Sequence, residues 1–422
     1  MGAAGASGGP VVILLGTLDT KGPACHSLRD RLRAAGVEVV LVDASYRRHA
    51  EPGADVSAEA VARAAGTTLE GLAGLDRRGA AEPMIRGAAA VVADLHRQGR
   101  CHGVLAVGGA NGTLLASGAM AGLPVGLPKI VVSAVGLAGA ERFVGAPDVA
   151  IFPAVGDIRP NRITDRVFEN AAAAMAAMAR DYAARAQGAP RGANPLVGMS
   201  VFGVTDAAAQ RIAARLEAAG YEVIEFHANG AGGRTLEELA RRGELDAVLD
   251  LTTTELADEV AGGVWSAGPG RMEAAGAAGL PQVIVPGAVD LVNLWPDTIR
   301  PEHRSRSLYR YNVSNLLMRS NPEENRRLGE LMARKVAAAR GPVRVLVPRR
   351  GFSRLDRPDG PTTHDAAGSP RGPWHDPEAD AAFIAALRAG LPPGRIEELD
   401  LHILDPAFAD AAADALMALL RR

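Results

Sequence analysis

Apolar residues arrive in short, dense runs, each stopped by glycine or by a polar turn. The clearest lies in residues 11–22, VVILLGTLDTKG, where five apolar positions end at Gly16. A run of this length bounded by glycine predicts a strand buried on both faces of a parallel sheet. A helical pattern over 23–35 follows, closed by Gly36, and VEVVLVD at 37–43 predicts the next strand. Strand, helix and strand in this span make a βαβ unit. Residues 46–80 carry Pro52, Gly53, Gly66 and Gly79 and predict helical pieces and loops. Beyond them the pattern predicts a helix over 82–99 and a strand over 103–109. A further helix runs through Met120, strands follow at 131–133 and 149–155, and a long Ala-rich helix covers 160–187.

Residues 188–195 have the Gly/Pro composition of a linker. The plan then repeats. LVGMSVFGVT ends in Gly203 and Thr205 as the first strand ends in Gly16 and Thr17. RLEAAGYEVIEFH at 215–227 echoes RLRAAGVEVVLVD at 31–43, and DAVLDLTTTE at 246–255 echoes GVLAVGGANGT at 103–113. Three landmarks in one order predict two similar domains, 1–190 and 195–422. The second half continues with a strand over 282–290, an irregular segment over 295–325 and a strand over 343–348. A Gly/Pro/Asp-rich stretch to 375 reads as a loop or lid, before a helix at 377–390, a short strand near 399–404 and a last helix at 407–421. The expected architecture is therefore two α/β domains with mostly parallel sheets facing a central cleft. Ligands in such folds lie at the carboxyl ends of the strands.

Composition narrows the class. At 422 residues two domains are the prior, and 48% hydrophobic with 22% charged residues is ordinary for a globular chain. A net charge of −2 gives no electrostatic footprint for nucleic acid or an anionic membrane surface. Cys25 and Cys101 are too few for a disulfide framework or a zinc site. The opening MGAAGASGG lacks a basic and apolar signal, and no apolar run is long enough to span a bilayer, so a cytoplasmic location is expected. Lysine occurs only at 21, 129 and 335 in an Arg-rich chain, which singles out Lys21 in the first turn.

Candidate chemistry collects where strands give way to helices. In the first turn, Gly16, Thr17, Asp19, Thr20 and Lys21 suit phosphate oxygens, with Asp19 free for a metal or a ribose hydroxyl; helix capping is the plainer alternative. Gly108, Gly109, Asn111, Gly112 and Thr113 follow the next buried strand, where glycines let a ligand approach the backbone and helix amides hold an anion. The turn matches neither the P-loop nor the spaced dinucleotide fingerprint. In the second half, Gly230, Gly232, Gly233 and Arg234 form a similar loop after a strand that ends in His227. Thr252, Thr253, Thr254 and Glu255, with Asp258 one turn on, suit hydroxyl contacts or Mg²⁺ held through water, or else cap their own helix. The glycine-rich stretch from Gly262 to Arg271 reads as a flexible rim carrying one cation, and His303, Arg304 and Arg306 as a solvated basic edge. Asp290, at the end of a buried strand, needs a partner or a ligand. Ser353 lacks nucleophile-elbow spacing, which argues against a hydrolase triad.

With these motifs in place, the chain resembles a known family. It is similar to the amino-terminal ATP-binding inhibitory domain of the tomato mosaic virus resistance protein and to its bacterial and fungal relatives. The carrying motifs are GTLDTKG at 16–22, VGGANGT at 107–113, VGAPDV at 144–149, FHANGAGGR at 226–234, LDLTTTELADE at 249–259, PGAVDLVN at 286–293, LMRSNPEE at 317–324 and DPEAD at 376–380. The resemblance implies two Rossmann-like domains, ATP binding and self-association as a homodimer. Two segments depart from the family. Its Gly-Gly-Ser-Gly-Gly-Thr loop carries Ala110 and Asn111 here, and its Ser-Thr-x-Ala-Ser-Gly segment keeps only Ser133 of its hydroxyls.

The leading expectation is a protein that binds ATP with Mg²⁺, using Thr17, Thr20 and Lys21 for phosphates and the 108–113 amides as a cradle. Arg234, residues 252–255 and Asp290 would close over the nucleotide or hold a second small substrate. An enzyme activating a small carboxylate or sugar acid, a nucleotide sensor with a protein partner, and a binder of a non-nucleotide metabolite are the alternatives.

Overall fold

The computed structural model describes residues 9–135, 148–186, 192, 194–392 and 394–421. The glycine-rich leader, most of the 133–139 loop, most of the VGAPDV motif and the 188–191 part of the linker lie outside the described residues. The chain divides into two compact units, residues 1–191 and 192–422.

The first unit starts with β1 (Val11–Gly16), α1 (Leu18–Ala34) and β2 (Glu38–Asp43). Three helices, α2 (Ala58–Ala64), α3 (Leu69–Leu72) and α4 (Arg77–Arg97), lead to β3 (Gly103–Gly108). Then come α5 (Ala110–Met120), β4 (Lys129–Ser133), β5 (Ala150–Pro153) and α6 (Thr164–Ala186). The sheet is parallel, in the order β2-β1-β3-β4-β5. Because side chains alternate across a strand, β1 feeds two cores. Ile13 and Leu15 pack with Met84 and Leu115 on one face, while Val12 and Leu14 pack with Leu28 and Phe168 on the other. All six β1 residues are buried, as a central parallel strand requires.

Helix α1 begins earlier than its apolar period, with a break at Lys21 (φ −126°, ψ 16°) just ahead of Pro23. Proline at the first turn of the main helix is tolerated, but its ring clashes with the carbonyl four residues back. The Thr17–Thr20 turn is consequently set off from the helix it precedes.

The second unit opens with β6 (Leu196–Val201), α7 (Asp206–Ala218), β7 (Glu222–His227), α8 (Ala231–Arg241) and β8 (Ala247–Thr252). Next are α9 (Thr254–Ala261), α10 (Ala274–Ala278), β9 (Gln282–Gly287), β10 (Leu291–Leu294), β11 (Leu308–Arg310) and β12 (Leu316–Arg319). Helix α11 (Pro322–Ala337), β13 (Val343–Pro348), β14 (Thr362–His364) and β15 (Pro370–Pro373) follow. The unit ends with α12 (Pro377–Gly390), β16 (Ile396–Leu399) and α13 (Pro406–Leu420). Its parallel sheet runs β16-β13-β9-β8-β6-β7, which repeats the first unit's order and adds one strand. The sequence echo is thus an echo of topology.

One layer differs from the sequence expectation. Strands β10, β12, β11, β14 and β15 form a second, antiparallel sheet from segments that read as irregular, and residues 357–375 supply its edge rather than a lid. These strands are three or four residues long, too short to carry a period, and several hold Arg310, Arg319 or Pro370. The apolar pattern also predicts no element where α11 lies. Asn321 and Glu324 close its start as a capping box with Pro322 at the first position, a signal present in the sequence as Asn-Pro-Glu-Glu.

Candidate functional site

In the first sheet the chain leaves β1 for β2 on one side, and the strands from β3 onward lie on the other. The gap between the ends of β1 and β3 is the switch point at which open α/β sheets bind ligands. A cleft of about 520 Å³ lies there, lined by Thr17, Asp19, Thr20, Lys21, Tyr46, Ala81, Gly109, Ala110, Asn111, Gly112 and Leu115. It joins the two turns that the sequence marked separately. Its volume falls within the roughly 300–1,000 Å³ of small-molecule sites.

The two walls differ in how their helix starts are used. At α1 the first amides are taken internally: Leu18 N donates to Asp43 Oδ1 at 3.1 Å and Asp19 N to Ser45 Oγ at 3.1 Å. Asp43, at the end of β2, also accepts from Ser45 and pairs with His49 at 2.7 Å. At α5 the cap is Gly109, and among the described residues no side chain closes it. Gly108 is needed for this approach, since a Cβ there would stand 2.7 Å from the Gly112 Cα. Beneath the turn, Thr113 Oγ1 and Ser133 Oγ meet at 2.8 Å and both residues are buried, so they brace the wall instead of lining it.

Facing α5, the Thr17 and Thr20 hydroxyls lie 3.1 Å apart, and Thr20 Oγ1 donates to Asp19 Oδ1 at 3.2 Å. Lys21 Nζ donates to Asp157 Oδ1 at 3.0 Å. That hydrogen bond holds the exposed Asp157 carboxyl below its usual range. Tyr46, Ala81, Leu115 and Asp157 were not singled out from the sequence. Tyr46 lies three residues past the end of β2, and Leu115 one helical turn past Asn111, so the strand-end logic reaches both.

The second unit assembles its motifs differently. Glu255 Oε1 accepts from the Gly230 amide at 2.6 Å and the Gly233 amide at 3.1 Å, so the start of α8 already holds a carboxylate of the same unit. A Cβ on Gly233 would collide with that carboxylate. Asn229 Oδ1 takes the Gly232 amide, and Arg234 reaches the Ser266 carbonyl. The other Glu255 oxygen accepts from Arg271 Nε at 2.6 Å, and Arg271 also binds Asp250 at 2.5 and 2.6 Å and Glu237 at 3.3 Å. Burial opposes the Arg271 charge, but Asp250 and Glu255 outweigh it and keep the guanidinium protonated.

Arg271 is thus a buried hub, 1% exposed, and not the rim cation expected from its glycine-rich neighbours. Three carboxylates fix it, which no local pattern encodes. Thr252 Oγ1 meets Thr205 Oγ1 at 2.8 Å, Thr254 donates to the Leu291 carbonyl, and Thr253 is fully buried. Asp290 is buried and accepts from Ser353 and Trp374. Of the expected basic edge, Arg304 is exposed, Arg306 pairs with Glu324 and His303 is buried.

These features define a protein of two Rossmann-like α/β units, the second carrying an extra antiparallel sheet. Residues 10–184 match the N-terminal domain and residues 194–420 the C-terminal domain of the uncharacterised protein family UPF0261. The chain belongs to that family. It is 36% identical over 416 residues to a UPF0261 protein of Clostridium tetani, covering 97% of this chain and 99% of that one. To a UPF0261 protein of Rhizobium meliloti it is 38% identical over 410 residues, covering 96% and 98%. The ToMV resistance protein Tm-1 of Solanum lycopersicum is 36% identical over 322 residues, which span 75% of this chain and 41% of the tomato protein. Among solved structures, the UDP-GlcNAc 2-epimerase of Methanocaldococcus jannaschii aligns with 65% of this chain and 83% of its own at 10% identity and a TM-score of 0.23. No helix among the described residues is long and apolar enough to cross a membrane.

Proposed function

We propose that the first unit binds ATP, together with Mg²⁺, in the cleft between the β1–α1 and β3–α5 turns. The observation that carries this reading is the start of α5, which is capped by Gly109, has no side-chain acceptor among the described residues, and opens onto the cleft that Lys21, Thr17 and Thr20 also line. Free amides at a helix start carry partial positive charge and receive phosphate oxygens. Lys21 adds a full charge, and Asp157 holds its ammonium in reach. The Asp19 carboxylate in the same cleft suits a magnesium ion bridging phosphates, or a ribose hydroxyl. Tyr46 and Leu115 offer apolar surface for the base. The resemblance to an ATP-binding domain supports the choice of nucleotide over other phosphorylated ligands.

Calorimetric titration of the full chain with ATP and Mg²⁺ tests the reading. Saturable binding is expected in the wild type, weakened at least tenfold by Lys21→Ala with the unfolding midpoint unchanged. Absence of saturable heat, or equal affinity in the variant, overturns it.

A further inference from the structure

The carboxyl edge of the second unit's sheet holds another group of charged side chains, at the ends of β9 and β13 and apart from the Arg271 hub. Asp356, His375 and Asp380 each bring one donor atom into a cluster in which those atoms all lie within 4.8 Å of one another. Asp356 follows β13, His375 follows β15, and Asp380 is in the first turn of α12. His375 Nδ1 stands 2.9 Å from Asp356 Oδ1. Arg319 Nη2 donates to Asp380 Oδ1 at 2.6 Å and lies 3.8 Å from Asp356.

A fourth residue makes the cluster more than a set of acids. Asp290 is 0% exposed, and its Oδ2 accepts from Ser353 Oγ at 2.7 Å and Trp374 Nε1 at 2.8 Å. Those donors flank Asp356 and His375 in the chain, so the Asp290 carboxylate sits against the segments that carry the cluster. Its second oxygen, Oδ1, is buried and has no hydrogen-bond partner among the described residues. An acceptor shut away from water without a donor is costly unless something positive meets it. Charge tells the same story: three buried carboxylates surround one guanidinium, that of Arg319.

We propose that Asp356, His375 and Asp380 form a site for one divalent first-row transition metal ion of the Zn²⁺ or Mn²⁺ class, with the buried Asp290 carboxylate adding negative charge beside it. Such ions accept mixed imidazole and carboxylate donors, whereas Mg²⁺ and Ca²⁺ prefer all-oxygen sets. Ligand distances of about 2.0–2.2 Å are reached by small shifts of donors already gathered this closely. Arg319 remains as the outer cation that orients Asp380, a role in keeping with supporting groups around metal ligands. The partly exposed His375 gives the ion a route from solvent.

The test uses the full chain stripped by a chelator and titrated with Zn²⁺, then with Mn²⁺, by calorimetry. One saturable site per chain is expected, with affinity reduced at least tenfold in His375→Gln. Zn²⁺ should raise the thermal midpoint of the wild type and leave that of the variant unmoved. X-ray absorption of the Zn²⁺-loaded wild type keeps the proposal falsifiable should the variant fold poorly: nitrogen and oxygen scatterers support it, and a sulfur scatterer overturns it. Equal affinity in the variant, or no saturable uptake of either ion, overturns it as well.

Discussion

The starts of α5 and α8 are written in the same idiom, glycine-rich turns that follow a strand and open a helix, yet the two units use them in opposite ways. At α5 no side chain among the described residues accepts from the first amides, and the turn faces a cleft of about 520 Å³. At α8 the Gly230 and Gly233 amides grip Glu255, which is itself locked to the buried Arg271. A glycine-rich helix start is thus open in one unit and filled from within in the other. A helix start is a site only while the protein supplies no anion of its own.

The difference is most directly broken at Glu255. Glu255→Ala leaves Arg271 short of a counter-charge and the two amides without an acceptor, all in a desolvated setting. Losing one partner of a buried charge network costs about 3–5 kcal/mol. Urea unfolding should show a loss of that order, and added inorganic sulfate should restore part of it by entering the vacated seat. A loss under about 1 kcal/mol would mean that the carboxylate is not the plug described.

Much of this was legible in advance. The apolar runs give β1 and β3, the glycines that end them give the two polar turns, and three repeated landmarks give two similar domains. That the turns share one cleft and the sheets one strand order came from the structure. What decided the second unit was not legible, because Glu255 meets Gly230 from 25 residues away and Arg271 meets Asp250 from 21. Glycine and proline around Arg271 suggest a mobile rim, but the contacts that bury it come from three other elements. The antiparallel sheet failed to announce itself for a related reason. Strands of three or four residues, paired across long separations, carry no period to read.

The filled edge carries a second buried acid, which sharpens the comparison through pH. Asp258, one turn past Glu255, accepts from the Asn293 amide at 2.6 Å and its side chain at 2.9 Å. Burial prevails over those hydrogen bonds and raises its carboxyl from 3.8 to about 8. Below about pH 4 both folded and unfolded chains hold this proton, and the stability it confers is complete. Between about 4 and 8 only the folded chain keeps it, so stability falls as pH rises, by up to about 1.4 kcal/mol per pH unit. Unfolding free energies measured across that window should decline in the wild type and be flatter in Asp258→Asn. Equal slopes in the two proteins would show that the acid is ionised in the fold.

The smallest expected change in stability comes from filling the open seat. Asn111 is exposed in the first turn of α5, where Asn111→Glu sets a carboxylate beside the free amides much as Glu255 sits at α8. Negative charge at a helix start is favourable by about 0.3–1 kcal/mol, so folding should be unchanged or slightly improved. The same charge repels a phosphate and competes for its donors. ATP affinity, read by calorimetry beside the unfolding curve, should fall at least tenfold while the fold gains. Stability and binding moving in opposite directions would mark this turn as a seat kept empty for a ligand. Undiminished ATP affinity with Glu at position 111 would place the phosphates elsewhere.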